Sequence, residues 1–266
     1  MGVRAMVAGW IWMFFLMSCS GGVESTPQGR GEAAKAPEAS IVELRLPGGD
    51  WGLPTPFTFY PRGPGYVHLS LIYDTLVWKD RNGTIPWLAE KWESSPDGLV
   101  WTFHLRTGLK WQDGAPLTAS DVRFSFDTLK RHPVEWFSLE RLKSVVVLDD
   151  LTVRLHLESP YAPFLNQVAG TVPIFPEHLW REVSNPREMA DPARALGSGP
   201  YRLVHYDRAQ GAYAYEANPD FFLGPPRVSK LSFVPAGDPV AALERGAVDE
   251  APVPASLLGR LRQDSR

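Results

Sequence analysis

Residues Ile85–Arg131, IPWLAEKWESSPDGLVWTFHLRTGLKWQDGAPLTASDVRFSFDTLKR, carry the strongest local structure signals in this chain. The tetrapeptide Ser95-Pro96-Asp97-Gly98 has Pro and Gly at the positions where a β-turn uses them. From Leu99 to Arg106 apolar and polar side chains alternate, which is the pattern of a half-buried strand. These features predict a hairpin that buries one apolar face.

The residues after this hairpin predict a capped helix. Thr118-Ala119-Ser120-Asp121 resembles a capping box in which Asp takes the place of the usual Glu. Val122, Phe126 and Leu129 then follow at helical spacing, so we expect these three side chains to point inward.

Further strand and helix patterns flank this stretch. Strands are predicted at Ile41–Leu46, at Tyr201–Tyr206, Gly211–Ala217 and Val228–Val234, and in a hairpin over Leu142–Leu157; helices are predicted at Val67–Val77, Pro160–Val168, Pro176–Trp180 and Pro239–Arg245. The adjacent Asp149 and Asp150 fall in the turn of the Leu142–Leu157 hairpin. We therefore expect solvated turn residues there and not an acid–base pair or a metal site.

The run Pro86–Val122 resembles the signature region of the family 5 extracellular solute-binding proteins, the peptide, dipeptide and nickel receptors of ATP-binding cassette importers. It contains Pro-x-Leu-Ala-Glu-x-Trp, an Asp-Gly turn, Phe-x-Leu-Arg-x-Gly, a second Asp-Gly and Thr-Ala-x-Asp-Val. Gly197-Ser198-Gly199-Pro200-Tyr201 is similar to the family's Gly-Thr-Gly-Pro-Tyr, and we expect it to form a tight corner. Asn218–Phe222 resembles the family's Asn-Pro-x-Tyr-Trp. The resemblance runs from about Ile41 to Asp249.

This resemblance implies a mixed α/β fold, namely a periplasmic-binding-protein-like type II lobe with an inserted small α/β domain. We expect residues 41–62 and 160–266 to form an incomplete larger lobe and residues 63–159 to form the small domain. Family members are longer and carry a second lobe, which is absent here. The resemblance therefore implies the N-terminal half of a receptor, either a fragment or a truncated product.

The N-terminus predicts export and attachment to lipid. Residues 1–18 hold Arg4 followed by the apolar run Ala5–Met17, which is too short to span a bilayer but suits a signal peptide. Leu16-Met17-Ser18-Cys19 resembles a bacterial lipobox, so we expect Cys19, the only cysteine, to be lipidated. Residues 19–40 are rich in Gly, Ala, Glu and Pro and predict a flexible, lipid-anchored tether. The alternative is a cleaved signal, or an incorrectly assigned start site, with an incidental cysteine.

Composition and motifs argue against several classes of protein. A net charge of −3 disfavours a nucleic-acid partner, because phosphate binding needs concentrated positive charge. The sequence lacks His-Glu-x-x-His, Gly-x-Ser-x-Gly and a phosphate-binding loop, so we expect no catalysis. The histidines lack ligand spacing and are predicted to be surface or polar-face residues, so we expect neither a metal site nor a cofactor. They are His68, His104, His132, His156, His178 and His205.

The loop after the first strand holds the candidate ligand-binding residues. In the family, the first strand leads into the ligand cleft, so the resemblance implies that five residues line it: Asp50, Trp51, Phe57, Phe59 and Tyr60. The alternative is that these aromatic side chains pack beneath a Pro-rich loop. Peptide receptors of the family take their acidic anchor from the second lobe, and no residue here corresponds to it.

These observations predict a monomeric, extracytoplasmic solute-binding subunit of an importer, anchored by lipid to a bacterial membrane on its periplasmic or cell-surface side. It would capture a solute, foremost a peptide, and deliver it to the permease without covalent chemistry. Alternatives are an oligosaccharide-binding surface lipoprotein, favoured by ten Trp residues, and a non-binding remnant. Five of these Trp residues favour core packing and leave Trp51 as the exception; they are Trp78, Trp87, Trp92, Trp101 and Trp111.

Overall fold

The structure is a computed structural model that describes residues 41–57 and 64–259. In chain order, its strands are β1 (Ile41–Gly48), β2 (Val77–Asp80), β3 (Gly83–Pro86), β4 (Ala89–Ser94), β5 (Val100–Leu105), β6 (Leu142–Asp149), β7 (Thr152–Leu157), β8 (Tyr201–Asp207), β9 (Ala212–Ala217) and β10 (Val228–Pro235). Its α-helices are α1 (Pro64–Ile72), α2 (Ala119–Arg131), α3 (Glu177–Trp180) and α4 (Pro239–Glu244). The predicted strands after residue 200 and the last helix are thus confirmed to within one or two residues.

The first sheet has the order β1-β10-β9-β8. β1 and β10 run parallel, with Gly48 opposite Pro235, whereas β9 is antiparallel to both of its neighbours. The carboxyl ends of β1 and β10 therefore lie at the same edge. The β8–β9 turn lies at that edge too, because Tyr213 at the start of β9 pairs with Phe233 near the end of β10.

The second sheet, in the order β4-β5-β7-β6, is antiparallel throughout and contains both predicted hairpins. Phe103 of β5 is buried in it, as are Val122 and Phe126 of α2, which packs against β6 and β7. The predicted capping box is also present: Asp121 Oδ2 accepts a hydrogen bond from the Thr118 amide at 2.9 Å. The two predicted hairpins and the predicted capped helix are therefore confirmed. β2 and β3 form a separate two-stranded hairpin.

The prediction of one helix over Val67–Val77 is wrong at both ends. α1 runs from Pro64 to Ile72, and Val77 already begins β2. The carbonyl groups between these elements bond to distant segments: the Asp74 carbonyl accepts from the Ile174 amide at 2.9 Å. The Leu76 carbonyl accepts from the Ala89 amide at 2.8 Å. Tertiary hydrogen bonds therefore replace the last turn of the predicted helix.

The predicted helix over Pro160–Val168 is only partly correct. A single π-helical turn, Leu165–Ala169, stands in its place, whereas α3 forms close to its predicted position with Pro176 at its N-cap. The hydrogen bond from the Gly170 amide to the Leu165 carbonyl, at 2.8 Å, closes the wider turn.

The Gly197–Tyr201 motif owes its glycines to close packing. A Cβ atom on Gly197 would lie 2.0 Å from the carbonyl oxygen of Ile72, and one on Gly199 would lie 2.6 Å from that of Leu71. The Gly199 amide donates to the Ile72 carbonyl at 2.8 Å. The chain therefore presses directly on the end of α1, a contact that the sequence alone did not reveal.

Two polar side chains connect the sheets through this motif. Gln112 Nε2, from the second-sheet side, donates to the carbonyls of Gly199 at 3.1 Å and Tyr201 at 2.8 Å. Asp74 is buried, and its carboxylate accepts from the Trp87 indole N–H at 2.7 Å and from the Ser198 hydroxyl at 2.6 Å. Burial raises the pKa of Asp74 to about 6, and these two hydrogen bonds only partly oppose that effect.

Within the described residues, the buried apolar side chains form a cluster that extends through both sheets. The division into a larger lobe (residues 41–62 and 160–266) and a small domain (residues 63–159) therefore stays a prediction. Trp87 and Trp111 are buried, and Trp78, Trp92 and Trp101 pack against the core, which confirms the core interpretation for these side chains.

Candidate functional site

Two loops and a hairpin turn come together beyond the carboxyl ends of β1 and β10. They are the Gly49–Phe57 loop after β1, the β8–β9 turn and the loop between β10 and α4. In the last of these, Asp238 caps α4, because its carboxylate accepts hydrogen bonds from the amides of Val240 and Ala241 at 3.0 Å each. In α/β folds, ligands bind outside the carboxyl ends of the strands. This edge of the first sheet is therefore the candidate site.

Tyr213 of β9 holds the Gly49–Phe57 loop in place. Its hydroxyl accepts a hydrogen bond from the Trp51 amide at 2.9 Å and donates to the Gly52 carbonyl at 2.9 Å. The side chain is buried, and burial is the main reason why its pKa is raised to about 12. The hydroxyl therefore keeps its proton and can serve both hydrogen bonds at physiological pH.

Asp50 is an ionised carboxylate at the centre of this edge. Its Oδ1 accepts from the Tyr206 hydroxyl at 2.7 Å and from the Gly52 amide at 3.0 Å, and its Oδ2 lies 3.6 Å from Arg208 Nε. Burial acts to raise the pKa of Asp50, but these donors outweigh it and hold the pKa below its usual value. The Arg208 side chain is 85% exposed, so a cation and an anion face solvent together.

Trp51 presents an accessible aromatic surface next to this charged pair. It is 38% exposed, and one face of its indole lies 3.5 Å from the Cβ position of Gly49. The β8–β9 turn can touch the loop only because Gly211 is a glycine: its φ is +63°, and a Cβ atom there would lie 2.4 Å from the Asp50 amide nitrogen. The turn thus packs on the backbone of the loop that carries Trp51, at a point that tolerates no side chain.

The structure brings together only part of the predicted set of site residues. Asp50 and Trp51 are neighbours at the sheet edge, whereas Phe57 packs on the rings of Phe175 and Trp180 at 5.7 and 5.6 Å. Phe59, Tyr60 and Cys19 lie outside the described residues. The roles assigned to all six residues remain predictions.

Sequence reasoning missed the residues of the β8–β9 hairpin that contact Asp50 and Trp51, namely Tyr206, Arg208 and Tyr213. The alternation in Ala212–Ala217, AYAYEA, was the available signal, because it puts Tyr213 and Tyr215 on one face. It did not indicate which loop they would meet, since Tyr213 and Trp51 are 162 residues apart in sequence.

His68 packs against the tyrosine side chains of β9. The expectation that it is a surface or polar-face residue is wrong. It is fully buried, with its ring 4.4 Å from that of Tyr213 and 4.2 Å from that of Phe233. Its Nδ1 lies 2.5 Å from the Tyr215 hydroxyl, and burial lowers its pKa to about 3. A neutral imidazole therefore fills the space between α1 and the sheet.

Residues 41–57 and 64–259 contain neither a metal-binding cluster nor a membrane-spanning helix. No group of three or more His, Cys, Asp and Glu side chains in these ranges is arranged to hold a metal ion. None of the helices there combines the length and apolar character needed to cross a bilayer.

An α/β lobe with loops gathered at the carboxyl edge of its parallel strand pair agrees with the type II solute-binding fold that the signature region implies. Residues 83–266 match the family model described as bacterial extracellular solute-binding proteins, family 5 Middle. The chain therefore belongs to the family 5 bacterial extracellular solute-binding proteins, as the signature region predicted. Members of this family are binding proteins of transport systems and not enzymes, and they work outside the cytoplasm.

Individual relatives agree with this assignment. The dipeptide-binding protein of Escherichia coli (strain K12) is 33% identical over 209 residues, which cover 68% of this chain and 38% of that protein. Di/tripeptide-binding protein 4 of Pseudomonas aeruginosa (strain UCBPP-PA14) is 31% identical, over 64% of this chain and 36% of its own length. The crystal structure of NikZ from Campylobacter jejuni in complex with Ni(L-His) superposes with a TM-score of 0.73 at 27% identity, over 85% of this chain and 46% of that one.

These comparisons confirm the predicted fold class, a mixed α/β lobe of the type II periplasmic-binding-protein kind. The chain spans less than two fifths of the length of the two curated relatives and about half of the superposed structure.

Proposed function

We propose that this chain is part of the substrate-binding component of an ATP-binding cassette importer and that the Asp50–Trp51 edge forms one wall of its solute site. The observation that carries the proposal is the restraint of Trp51. Its amide is held by Tyr213, its ring stays 38% exposed, and Asp50 beside it is ionised. An exposed aromatic side chain on a restrained backbone, beside a charged pair, can contact a solute at a reduced cost in conformational entropy.

The proposed solute is a short peptide. The relatives named for dipeptides and di/tripeptides support this class, and the paired charges of Asp50 and Arg208 could each complement one end of a zwitterionic peptide. The Trp51 indole would pack against a peptide side chain. A nickel complex is the second cargo to test, since NikZ was crystallised with Ni(L-His).

The location of the protein, its delivery of solute, its membrane anchor and its division into domains are also proposals. The component would bind solute outside the cytoplasmic membrane as a monomer, and deliver it to permease subunits without covalent chemistry, cofactor or nucleic acid. Signal cleavage and lipidation at Cys19 would hold it at the membrane through a tether of residues 19–40. The larger lobe, at residues 41–62 and 160–266, would carry the Asp50–Trp51 wall, and residues 63–159 would form the small domain.

Thermal unfolding of the protein expressed from its own gene tests this function. A panel of di- and tripeptides, Ni(L-His) and short oligosaccharides would be added at millimolar concentration. We expect at least one peptide to raise the Tm, because a ligand bound only to the folded state stabilises it by mass action. No shift with any peptide, or shifts with oligosaccharides alone, would contradict the proposal.

A further inference from the structure

A cavity lies in a part of the molecule that the solute-binding proposal does not use. It has a volume of about 410 Å³ and is formed by the Trp136–Leu142 segment, the end of β7 and the stretch from Tyr161 to Thr171. None of its lining residues belongs to the Gly49–Phe57 loop or to the β8–β9 turn. Its size falls within the range of small-molecule sites.

The cavity has an apolar floor and aromatic walls. Leu142, Leu157 and Phe164 are buried beneath it, and Trp136 and Phe137 stand at its side as an edge-to-face pair with ring centroids 4.6 Å apart. Both of these rings are only partly buried. A flat or aliphatic group could therefore replace water on their faces.

Arg141 supplies a fixed positive charge to the lining. Its guanidinium carbon lies 5.2 Å from the centre of the Tyr161 ring, and its Nη1 donates to Ser159 Oγ at 3.1 Å and more weakly to the Pro160 carbonyl at 3.5 Å. Within the described residues no carboxylate oxygen lies within 4.0 Å of this guanidinium, and the nearby Glu140 of the lining forms no ion pair with it. Among the residues that the structure describes, the lining thus presents a cation that pairs with no protein anion.

The π-helical turn Leu165–Ala169 forms the wall on the Tyr161 side. It places Gln167 where the amide oxygen accepts from the Tyr161 hydroxyl at 2.8 Å, so that the ring beneath Arg141 is itself held. Single π-helical turns are rare and occur frequently at functional sites. The turn and the guanidinium therefore form one connected lining.

We propose that this cavity binds a small monocarboxylate with an apolar body. The carboxylate would pair with Arg141, whose planar guanidinium suits that group, and the apolar body would lie against Trp136 and Phe137. This site is separate from the Asp50–Trp51 edge, so its occupancy does not depend on transport of a solute.

Isothermal titration calorimetry with 4-hydroxybenzoate, hexanoate and the neutral 4-hydroxybenzamide tests the proposal. We expect a carboxylate to bind about tenfold more tightly than the amide, and Arg141→Gln to remove that preference. Trp136→Ala should weaken both aromatic ligands, whereas Arg81→Gln, an exposed arginine of the β2–β3 turn, should change nothing.

Thermal unfolding of each variant would show whether it is folded before its binding is compared. The proposal is wrong if neither carboxylate binds, if carboxylate and amide bind equally well, or if a folded Arg141→Gln protein keeps the preference.

Discussion

The hydroxyl of Ser198 donates a hydrogen bond to the buried carboxylate of Asp74 at 2.6 Å, across 124 residues of sequence. The same carboxylate accepts from the Trp87 indole at 2.7 Å, so one acidic group joins the end of α1, the start of the second sheet and the Gly197–Tyr201 motif. Within residues 41–57 and 64–259 this buried carboxylate forms no ion pair with a cation, and its raised pKa makes the stability of the fold depend on pH.

Asp74→Asn should flatten the dependence of stability on pH. The folded-state pKa of Asp74 is about 6 and the unfolded value is 3.8, so the folded state holds more protons between these pH values. Its contribution to the free energy of unfolding is therefore complete below pH 3.8 and falls, by on the order of 3 kcal/mol, as pH rises through 6. Urea unfolding from pH 4 to 7 should show a smaller decline in Asp74→Asn than in the wild type.

Asp150→Asn in the exposed β6–β7 turn is the matched control and should keep the wild-type pH profile. Asp121 is a second buried carboxyl whose pKa is raised by burial, and it contributes equally to all three proteins. Identical slopes in Asp74→Asn and the wild type would refute this account of the junction.

Gly197→Ala should severely destabilise the protein. A Cβ atom would lie 2.0 Å from the Ile72 carbonyl oxygen, and both partners are backbone, so neither can rotate away. We expect a loss of roughly 3 kcal/mol, at the upper end of overpacking costs, measured by guanidinium unfolding. Gly237→Ala is the control, because nothing lies within 4 Å of its Cβ position. Equal stabilities for the two variants would show that the close contact is not rigid.

Tyr213→Phe should loosen the Gly49–Phe57 loop. The substitution removes the hydroxyl that bonds both the Trp51 amide and the Gly52 carbonyl, at a cost of about 1–2 kcal/mol. Amide hydrogen exchange at Trp51 should become about tenfold faster, since opening of the loop is easier. Tyr161→Phe, which loses one exposed side-chain hydrogen bond to Gln167, should leave that exchange rate unchanged. Unaltered exchange in Tyr213→Phe would mean that something else fixes the loop.

Cys19→Ala should release the protein from membranes. The lipobox-like Leu16–Cys19 predicts that the only cysteine carries the lipid, and the substitution removes the acceptor sulfur. Fractionation followed by immunoblotting should find the variant in the soluble extracytoplasmic fraction and the wild type in the membrane pellet. A Ser20→Ala control should stay in the pellet, and membrane association of Cys19→Ala would overturn the anchor.

The two hairpins of the second sheet and helix α2 were predictable because their signals are local, whereas the β5–β7 pairing that joins the hairpins was not predicted. The alternation from Leu99 to Arg106 predicts a strand and the Thr118–Asp121 box predicts the start of a helix, each from fewer than ten consecutive residues. Both predictions were correct. The end of α1 was mispredicted because partners more than ten residues away, such as Ala89 and Ile174, take its carbonyl groups. His68 was mispredicted for the same reason, since its burial depends on Tyr215, which is 147 residues away.

The candidate site was only half predictable. Asp50 and Trp51 could be proposed from the family resemblance, since they follow the first strand. Tyr206, Arg208 and Tyr213 come from a hairpin brought alongside by the β1–β10 and β10–β9 pairings, and nothing near Asp50 in sequence encodes that contact. The Arg141 cavity likewise depends on a π-helical turn that helix patterns do not distinguish from an ordinary α-helical turn.

Calorimetric titration of Trp51→Ala with the peptide that most stabilises the wild type tests the central claim most directly. If the Asp50–Trp51 edge is a wall of the solute site, affinity should fall about five- to thirtyfold, because a stacked indole contributes on the order of 1–2 kcal/mol to binding. Trp136→Ala removes a partly buried indole from the cavity that contains Arg141, and this variant should bind the peptide as the wild type does. Wild-type affinity in a folded Trp51→Ala protein would contradict the assignment.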